Sequence, residues 1–423
     1  MTRKGTGRAK AAGSAGRFLG VRVLAAASVA AVLGLGVYWT LRLGYADRLF
    51  HIGSSAAVER ARQLAPGNAA YFAIDSTDGP ALRQAVANNP RFSSGWIELG
   101  ILAEAAGNLA DAERFLLEAA SVDRTYQPRW SLANFYFRRG QREKFWPWAR
   151  QAAEMAYYSQ TPLFRLYWRV TQDPSVILTR GIPDRPDVLA QYLHFLLMEN
   201  KLAEAEQAGQ KLLATSTRES LPVLTLFCDR LIGAGRVTSA LHAWNTLCAR
   251  GLVPYRVLEP EQGRSITNGD FAAAPLGAAF DWRLYPAQGV TATRAASPAG
   301  LRLTLSGRQP ERCALLEQIL PVEPGLAYRL TYSSQASGIP AASGLRWYVG
   351  DLATGRELST APVGGAGDAW REETLGFVAP ADVGGVRLVL EYRRAPGTTR
   401  IEGTLWLRQI FTSLEPESPK AAR

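Results

Sequence analysis

The sequence predicts a multi-domain chain with one transmembrane helix, an all-α solenoid of helical repeats and an all-β antiparallel sandwich. Three observations predict this. Residues 23–41 carry no charge, residues 55–250 show alanines and aromatics at a period near 34, and strand-like alternation begins after Gly251. A length of 423 residues suits two or three domains. At 47% hydrophobic and 20% charged, the composition is that of a folding chain. The expected divisions are a basic cytoplasmic tail at 1–22, an anchor at 23–43, repeats at 55–250, a linker at 251–264, the sandwich at 265–415 and a disordered tail at 416–423.

The net charge of +11 is a nucleic-acid signal only until it is located. Arg3, Lys4, Arg8, Lys10, Arg17 and Arg22 stand in the first 22 residues without an acid, so they hold six of those charges. The sandwich region has 14 Arg against 14 acids and is neutral. Between Arg22 and Arg42 the uncharged run spans about 28 Å as a helix, close to the thickness of a bilayer's hydrocarbon core. Tyr38 and Trp39 suit an interface at its far end. The positive-inside rule keeps the tail in the cytoplasm and sends the bulk across the membrane. A cleaved signal peptide would have a shorter apolar core followed closely by a small-x-small site, so an uncleaved anchor is expected. The chain then sits in the inner membrane with its bulk periplasmic.

In the second region Trp96, Leu99 and Gly100 have W-x2-L-G spacing, followed by Gly107, Ala112, Leu116 and Ala119. Thirty-four residues after Trp96 comes Trp130, with Ala133, Phe137, Gly140, Ala149 and Ala153 behind it. Ala205 and Ala240 repeat the small position 35 residues apart, while 157–186, with its four prolines, breaks the pattern. This stretch resembles the tetratricopeptide repeat, whose paired antiparallel helices need small residues where they touch. The resemblance implies a concave groove for a protein partner, lined by Ile97, Ile101 and Glu104, by Ser131, Phe135, Arg138 and Arg139, and by Ala190, His194 and Leu197. Exposed Phe135 and Ile101 beside the two arginines would hold an extended peptide or helix; packing against a neighbouring element is the competing reading. Cys228 and Cys248 read as buried thiols.

In the third region five segments alternate: Leu301 to Leu305, Tyr328 to Tyr332, Leu345 to Val349, Val386 to Tyr392 and Gly403 to Leu407. Gly and Pro clusters near 338–340, 364–367 and 395–397 make turns. The opening Thr267-Asn268-Gly269-Asp270-Phe271, then Phe280-Asp281-Trp282 and Gly325 to Tyr332, resembles carbohydrate-binding jelly rolls of the family 4/9 kind. Many such modules hold calcium, but Ala272 and Trp406-Leu407-Arg408 stand where that family has acids, so no cofactor or metal is expected. Strand parity places Arg302, Arg329, Arg346, Tyr348, Arg387, Glu391 and Arg393 opposite the core leucines. Tyrosine stacking and guanidinium donors there suit a saccharide, against the alternative of an ordinary solvated face. Trp282 and Trp370 are expected in the core.

Catalysis is not expected. Glu372 and Glu373 read as loop carboxylates without a partner constellation, and no G-x-S-x-G, P-loop, Rossmann or H-E-x-x-H motif occurs. Three cysteines and three scattered histidines suit neither a disulfide framework nor a metal centre. By analogy with envelope proteins that combine these parts, the expected role is a non-enzymatic scaffold in polysaccharide assembly or export. Its expected partners are a protein at the repeats, a polysaccharide at the sandwich and the membrane at one helix, with no nucleic acid. The alternatives are a protein–protein adaptor without glycan binding and a glycan-modifying enzyme.

Overall fold

The uncharged run lies inside one helix, α1 (Ala9–Ile52), whose stretch Ala26–Ile52 is long and apolar enough to cross a membrane. The computed structural model describes residues 9–72, 78–340, 342–364 and 367–415; the start of the basic tail and the expected disordered tail lie outside them. Val29, Val32, Leu33, Leu35 and Val37 all stand exposed on α1. The last turns of the helix differ. Ala46 is fully buried against Ala61 of α2 (Ser55–Leu64), and Phe50 stacks on Tyr71 at 4.8 Å.

The chain divides into two compact units, Met1–Tyr158 and Ser159–Arg423. In the first, α3 (Gly79–Asn88) precedes the pairs α4 (Ser93–Ala105) with α5 (Leu109–Val122) and α6 (Tyr126–Arg138) with α7 (Arg142–Met155). Side-chain caps start several of these helices: Asp78 accepts from the Ala81 amide at 3.0 Å and Asn108 from that of Asp111 at 3.3 Å. In the second unit, α8 (Thr161–Val170) is followed by α9 (Pro174–Val176), which runs into a π-turn over Ile177–Gly181. The proline-broken stretch therefore holds one regular helix followed by a short, wound turn. Two pairs follow, α10 (Pro186–Met198) with α11 (Leu202–Thr215) and α12 (Leu221–Gly233) with α13 (Val237–Ala249).

One turn joins the helices of all four pairs. A left-handed residue stands at Gly107, Gly140, Asn200 and Gly235. The next amide reaches back five residues each time: Asn108 to Ala103, Gln141 to Tyr136, Lys201 to Leu196 and Arg236 to Leu231, at 2.8–3.0 Å. Glycine and asparagine carry that conformation at least cost, which is why the chain places them there. The small residues read from the sequence sit where helices touch: Ala112, Ala119, Ala149, Ala153, Ala205 and Ala240 are all fully buried.

The C-terminal half of the second unit folds as two antiparallel five-stranded sheets. The strands are β1 (Arg283–Leu284), β2 (Val290–Ala296), β3 (Ala299–Ser306), β4 (Arg312–Pro321), β5 (Ala327–Ser337), β6 (Leu345–Asp351), β7 (Glu357–Pro362), β8 (Gly367–Val378), β9 (Gly385–Arg393) and β10 (Glu402–Leu414). One sheet runs β1-β4-β9-β6-β7 and the other β2-β3-β10-β5-β8. Leucines of both sheets meet between them around Trp282, Trp347, Phe271 and Tyr332, with Trp282 and Trp347 ring centroids 6.2 Å apart. Trp282 is in the core as expected. All five alternating segments are strands. Of the five others, β1, β7, β2 and β8 are sheet edges, and β4 is buried on both faces along its second half, so neither kind alternates cleanly.

The helices of this unit pack directly on the sandwich. Trp244 of α13, fully buried, stacks on Tyr255 at 6.0 Å and meets the edge of Phe280 at 6.3 Å. Asn245 pairs twice with the backbone of Leu258, both bonds at 2.8 Å. Asp229 of α12 accepts from the Ala279 amide at 2.9 Å and from Arg283 of β1 at 2.5 Å. Behind them Asp281 is fully buried and accepts from Tyr255 Oη at 2.7 Å, the Leu276 amide at 2.6 Å and the Trp282 amide at 2.8 Å. Burial pushes its carboxyl above the usual range even so.

Candidate ligand-binding site

The seven sandwich residues singled out by parity all turn away from the core, but they do not share one face. Arg302 lies on β3 and Arg329 on β5, in one sheet; Arg346, Tyr348, Arg387, Glu391 and Arg393 lie on β6 and β9, in the other. Parity tells inside from outside and cannot tell one sheet from the other, so the expected single face becomes two.

On the β9–β6 sheet the cations are spent on neighbouring acids. Arg346 and Glu391 stand opposite in register and bond at 2.5 and 2.7 Å, with Glu357 3.4 Å from the same guanidinium. Arg312 lies 3.9 Å from Glu391 and Arg387 3.7 Å from Glu317, which also accepts from Tyr285 Oη at 3.0 Å. Tyr348 Oη donates to the Gly355 carbonyl at 2.5 Å. Arg393, the last of the five, is exposed at the end of β9. Internal neutralisation leaves this face few free donors.

The other sheet is different. Arg302, Trp406 and Gln335 stand in register across β3, β10 and β5. Two residues along β10, Arg408 stands opposite Ser333, which in turn faces Glu372 of β8. The Arg408 guanidinium carbon lies 3.8 Å from the Trp370 ring centroid, and that of Arg302 lies 5.4 Å from Trp406. Trp370, Trp406 and Arg408 are all half-buried, so their outer surfaces meet solvent. Trp370 is thus on the outer face and not in the core, because Leu375 and Phe377 supply the buried positions of β8. Arg329 is 3.5 Å from Glu415 at the end of this sheet.

A cleft of ≈880 Å³ adjoins this face where Asn268, Asp270, Glu372, Gln409 and Phe411 line one continuous surface. Phe411 is 49% exposed there, and a register shift between Arg408 and Phe411 turns Gln409 into the left-handed region at φ 53°. Ser333 Oγ donates to Gln409 Oε1 at 3.0 Å and holds it in place. Asp270 accepts from the Ala272 amide at 3.1 Å. Among the described residues no group of three His, Cys, Asp or Glu side chains gathers as a metal site.

Glu372 and Glu373 are on a strand, not a loop, and as consecutive residues they point to opposite faces. Glu373 accepts from Tyr332 Oη at 2.7 Å and Ser334 Oγ at 2.8 Å, and burial together with the Glu373 carboxylate pushes the tyrosine hydroxyl far above its ordinary range. They cannot work as an acid–base pair across one substrate.

In the first unit Ile101 is 47% exposed, whereas Ile97 and Phe135 are buried at 5% and 1%. The expected exposed Phe135 is a core residue: its ring meets Tyr136 at 5.3 Å and fills the space between helices. Arg138 makes a two-pronged pair with Glu104, at 2.6 and 2.9 Å. Those two residues are 34 positions apart, at equivalent places in successive repeats, and the bond raises the guanidinium's pKa further. Arg139 is exposed. His194, in the second unit, is exposed on α10, while Leu197 of the same helix is 2% exposed.

No family model matches the chain, and no curated protein matches it. Among solved structures the chain is similar to a CBM4 structure, at 15% identity and TM-score 0.29, over 36% of this chain and all of that one. It is also similar to PilF of Pseudomonas aeruginosa, at 16% identity and TM-score 0.22, over 50% of this chain and 90% of that one. A third is YrrB, a TPR protein with an unusual peptide-binding site, at 15% identity and TM-score 0.23, over 42% and 94%. At such identities the likeness concerns the fold, and the chemistry of each face is set by this chain's own side chains.

Proposed function

We propose that the chain is a membrane-anchored, non-enzymatic scaffold whose sandwich holds a polysaccharide during its assembly or export, while the helical repeats hold a protein partner. In this reading α1 is an uncleaved inner-membrane anchor, residues 1–22 are cytoplasmic and both units are periplasmic. The basic tail before the uncharged run supports that orientation.

The observation that carries the glycan reading is the face bearing Trp370, Trp406, Arg302 and Arg408. A pyranose presents apolar C–H faces and a rim of hydroxyls. An indole supplies a plate for the first and a guanidinium supplies in-plane donors for the second. On the β9–β6 face Arg346 and Glu391 are joined to each other instead. On the first unit Ile101, Arg138 and Arg139 are the expected groove residues that stay at the surface, and on the second unit His194 is exposed by itself. These four are the proposed partner contacts; Ile97 and Phe135 act through packing.

The test is retention of the full chain, in detergent, on immobilised envelope and plant-type polysaccharides. Retention on a glycan, competed by the soluble form of that glycan, is the expected result. A chain that passes every glycan unretarded overturns the polysaccharide reading and leaves the adaptor role. A pull-down partner lost on Ile101→Glu would then identify that role.

A further inference from the structure

Where α1 leaves the uncharged run, the first unit carries an apolar groove of ≈580 Å³ lined by Trp39, Arg42, Leu43, Leu64 and Phe92 with residues 65–70 between them. Its height along α1 is fixed by two contacts. Arg42 Nε donates to the Leu64 carbonyl at 2.9 Å, and one turn further on Ala46 is buried with Ala61. The helices therefore run antiparallel, and the C-terminal end of α2 with residues 65–70 lies level with Arg42, at the end of the uncharged run. Because α1 is helical throughout Ala9–Ile52, no joint separates the expected span from this groove. At that level the surroundings are lipid headgroups and the first methylenes of acyl chains.

We propose that this groove seats a membrane phospholipid, its phosphate at Arg42 beside Leu43 and the start of an acyl chain along Trp39, Leu64 and Phe92. The inference rests on reading α1 as a membrane anchor. Trp39 is 44% exposed and Leu43 48% exposed, so the groove continues the apolar stripe that Val32 and Leu35 present on the same side of α1. No acid lines it. The Arg42 guanidinium is held in place: Nη1 donates to Tyr38 Oη at 3.3 Å, and its carbon lies 5.0 Å from the Trp39 ring centroid. Of its five N–H donors those contacts use two, and a phosphate accepts the fork that remains.

The experiment reconstitutes the full chain in liposomes of phosphatidylcholine and phosphatidylglycerol doped with a phosphatidylcholine that carries a photoactivatable acyl chain. After irradiation, adducts are located by peptide mass spectrometry. Adducts are expected on residues 23–41, on 64–70 and at Phe92. Leu43→Glu places a carboxylate beside the phosphate and should cut the adducts on 64–70 and Phe92 about tenfold, while those on 23–41 stay. Tyr157→Glu, at a residue 94% exposed elsewhere on the unit, should change nothing. Adducts on 23–41 with none on 64–70 or Phe92, or groove adducts indifferent to Leu43→Glu, overturn the proposal. An absence of adducts on 23–41 overturns the anchor reading itself and the groove proposal with it.

Discussion

Arg408 of β10 lies 3.8 Å over the ring of Trp370 of β8, although β5 runs between those strands. The β5 residue opposite Arg408 is Ser333, small enough to let the guanidinium lean across it toward Trp370, which lies two residues along β8 from Glu372, the other partner of Ser333. Each partner supports the other: the ring shields one side of a cation, and the cation holds a half-exposed indole in one orientation. Such a pair contributes about 0.5–2 kcal/mol and, more to the point, preorganises an aromatic plate at the surface.

Asp229 ties the helices to the sandwich. It accepts from the amide of Ala279, whose φ of 50° is unusual for alanine, and from Arg283. Asp229→Ala removes both bonds and should cost about 2 kcal/mol of stability. Thermal unfolding of the full chain should show a lower midpoint, with exchange of the Ala279 amide accelerated. An unchanged midpoint would mean that the junction holds without this carboxylate.

Gly209 of α11 is a packing requirement. A Cβ there would lie 2.6 Å from Cε1 of Phe227, a buried ring on α12. Gly209→Ala should therefore destabilise the chain by about 1–3 kcal/mol despite alanine's better helix propensity. Denaturant titration checks the sign. A stabilised variant would show that the ring can move aside.

Much of this architecture was legible in the sequence, for reasons that individual residues show. Trp96 and Trp130 mark the repeat because each helical pair must place a small residue such as Ala112 against its neighbour. Leu301, Leu303 and Leu305 mark a central strand because one side alone is buried. The site was less legible. Arg302 and Arg346 share a parity but lie in different sheets, and sheet membership depends on pairings that sequence periodicity does not encode. Trp406 was within reach, since it alternates with Leu405 and Leu407. Trp370 was not, because β8 is an edge strand whose Arg371, Glu372 and Glu373 break any alternation.

The thiols should be inert in the folded chain. Burial pushes the Cys248 thiol up to about 12 and that of Cys228 well above its ordinary value, and Cys313 is raised by the same cause. All three are free. At pH 8 a disulfide reagent should titrate them slowly in native chain and all three promptly in guanidinium chloride. Rapid native labelling at Cys228 would contradict its burial.

Asp351 gives the sandwich an acid-side dependence. The amides of Ala353 and Thr354 donate to it at 2.8 and 3.0 Å, and these bonds hold its pKa below the usual value. A pKa lowered on folding contributes stability above the unfolded value, near ~3.9, and that contribution is lost as pH falls through the folded one. Asp351→Asn should thus unfold at lower temperature than the parent at pH 7, with the gap closing at strongly acid pH. A gap of constant size from neutral to acid pH would rule out this titration.

The most direct measurement compares retention on polysaccharide of the full chain, a Trp370→Ala/Trp406→Ala double variant and Arg346→Ala. Loss of two stacking plates should weaken retention about tenfold or more, while Arg346→Ala, which alters the ion-paired face of the other sheet, should bind as the parent does. A double variant retained as well as the parent, or retention lost in Arg346→Ala alone, would contradict the assignment of the Trp370/Trp406 face.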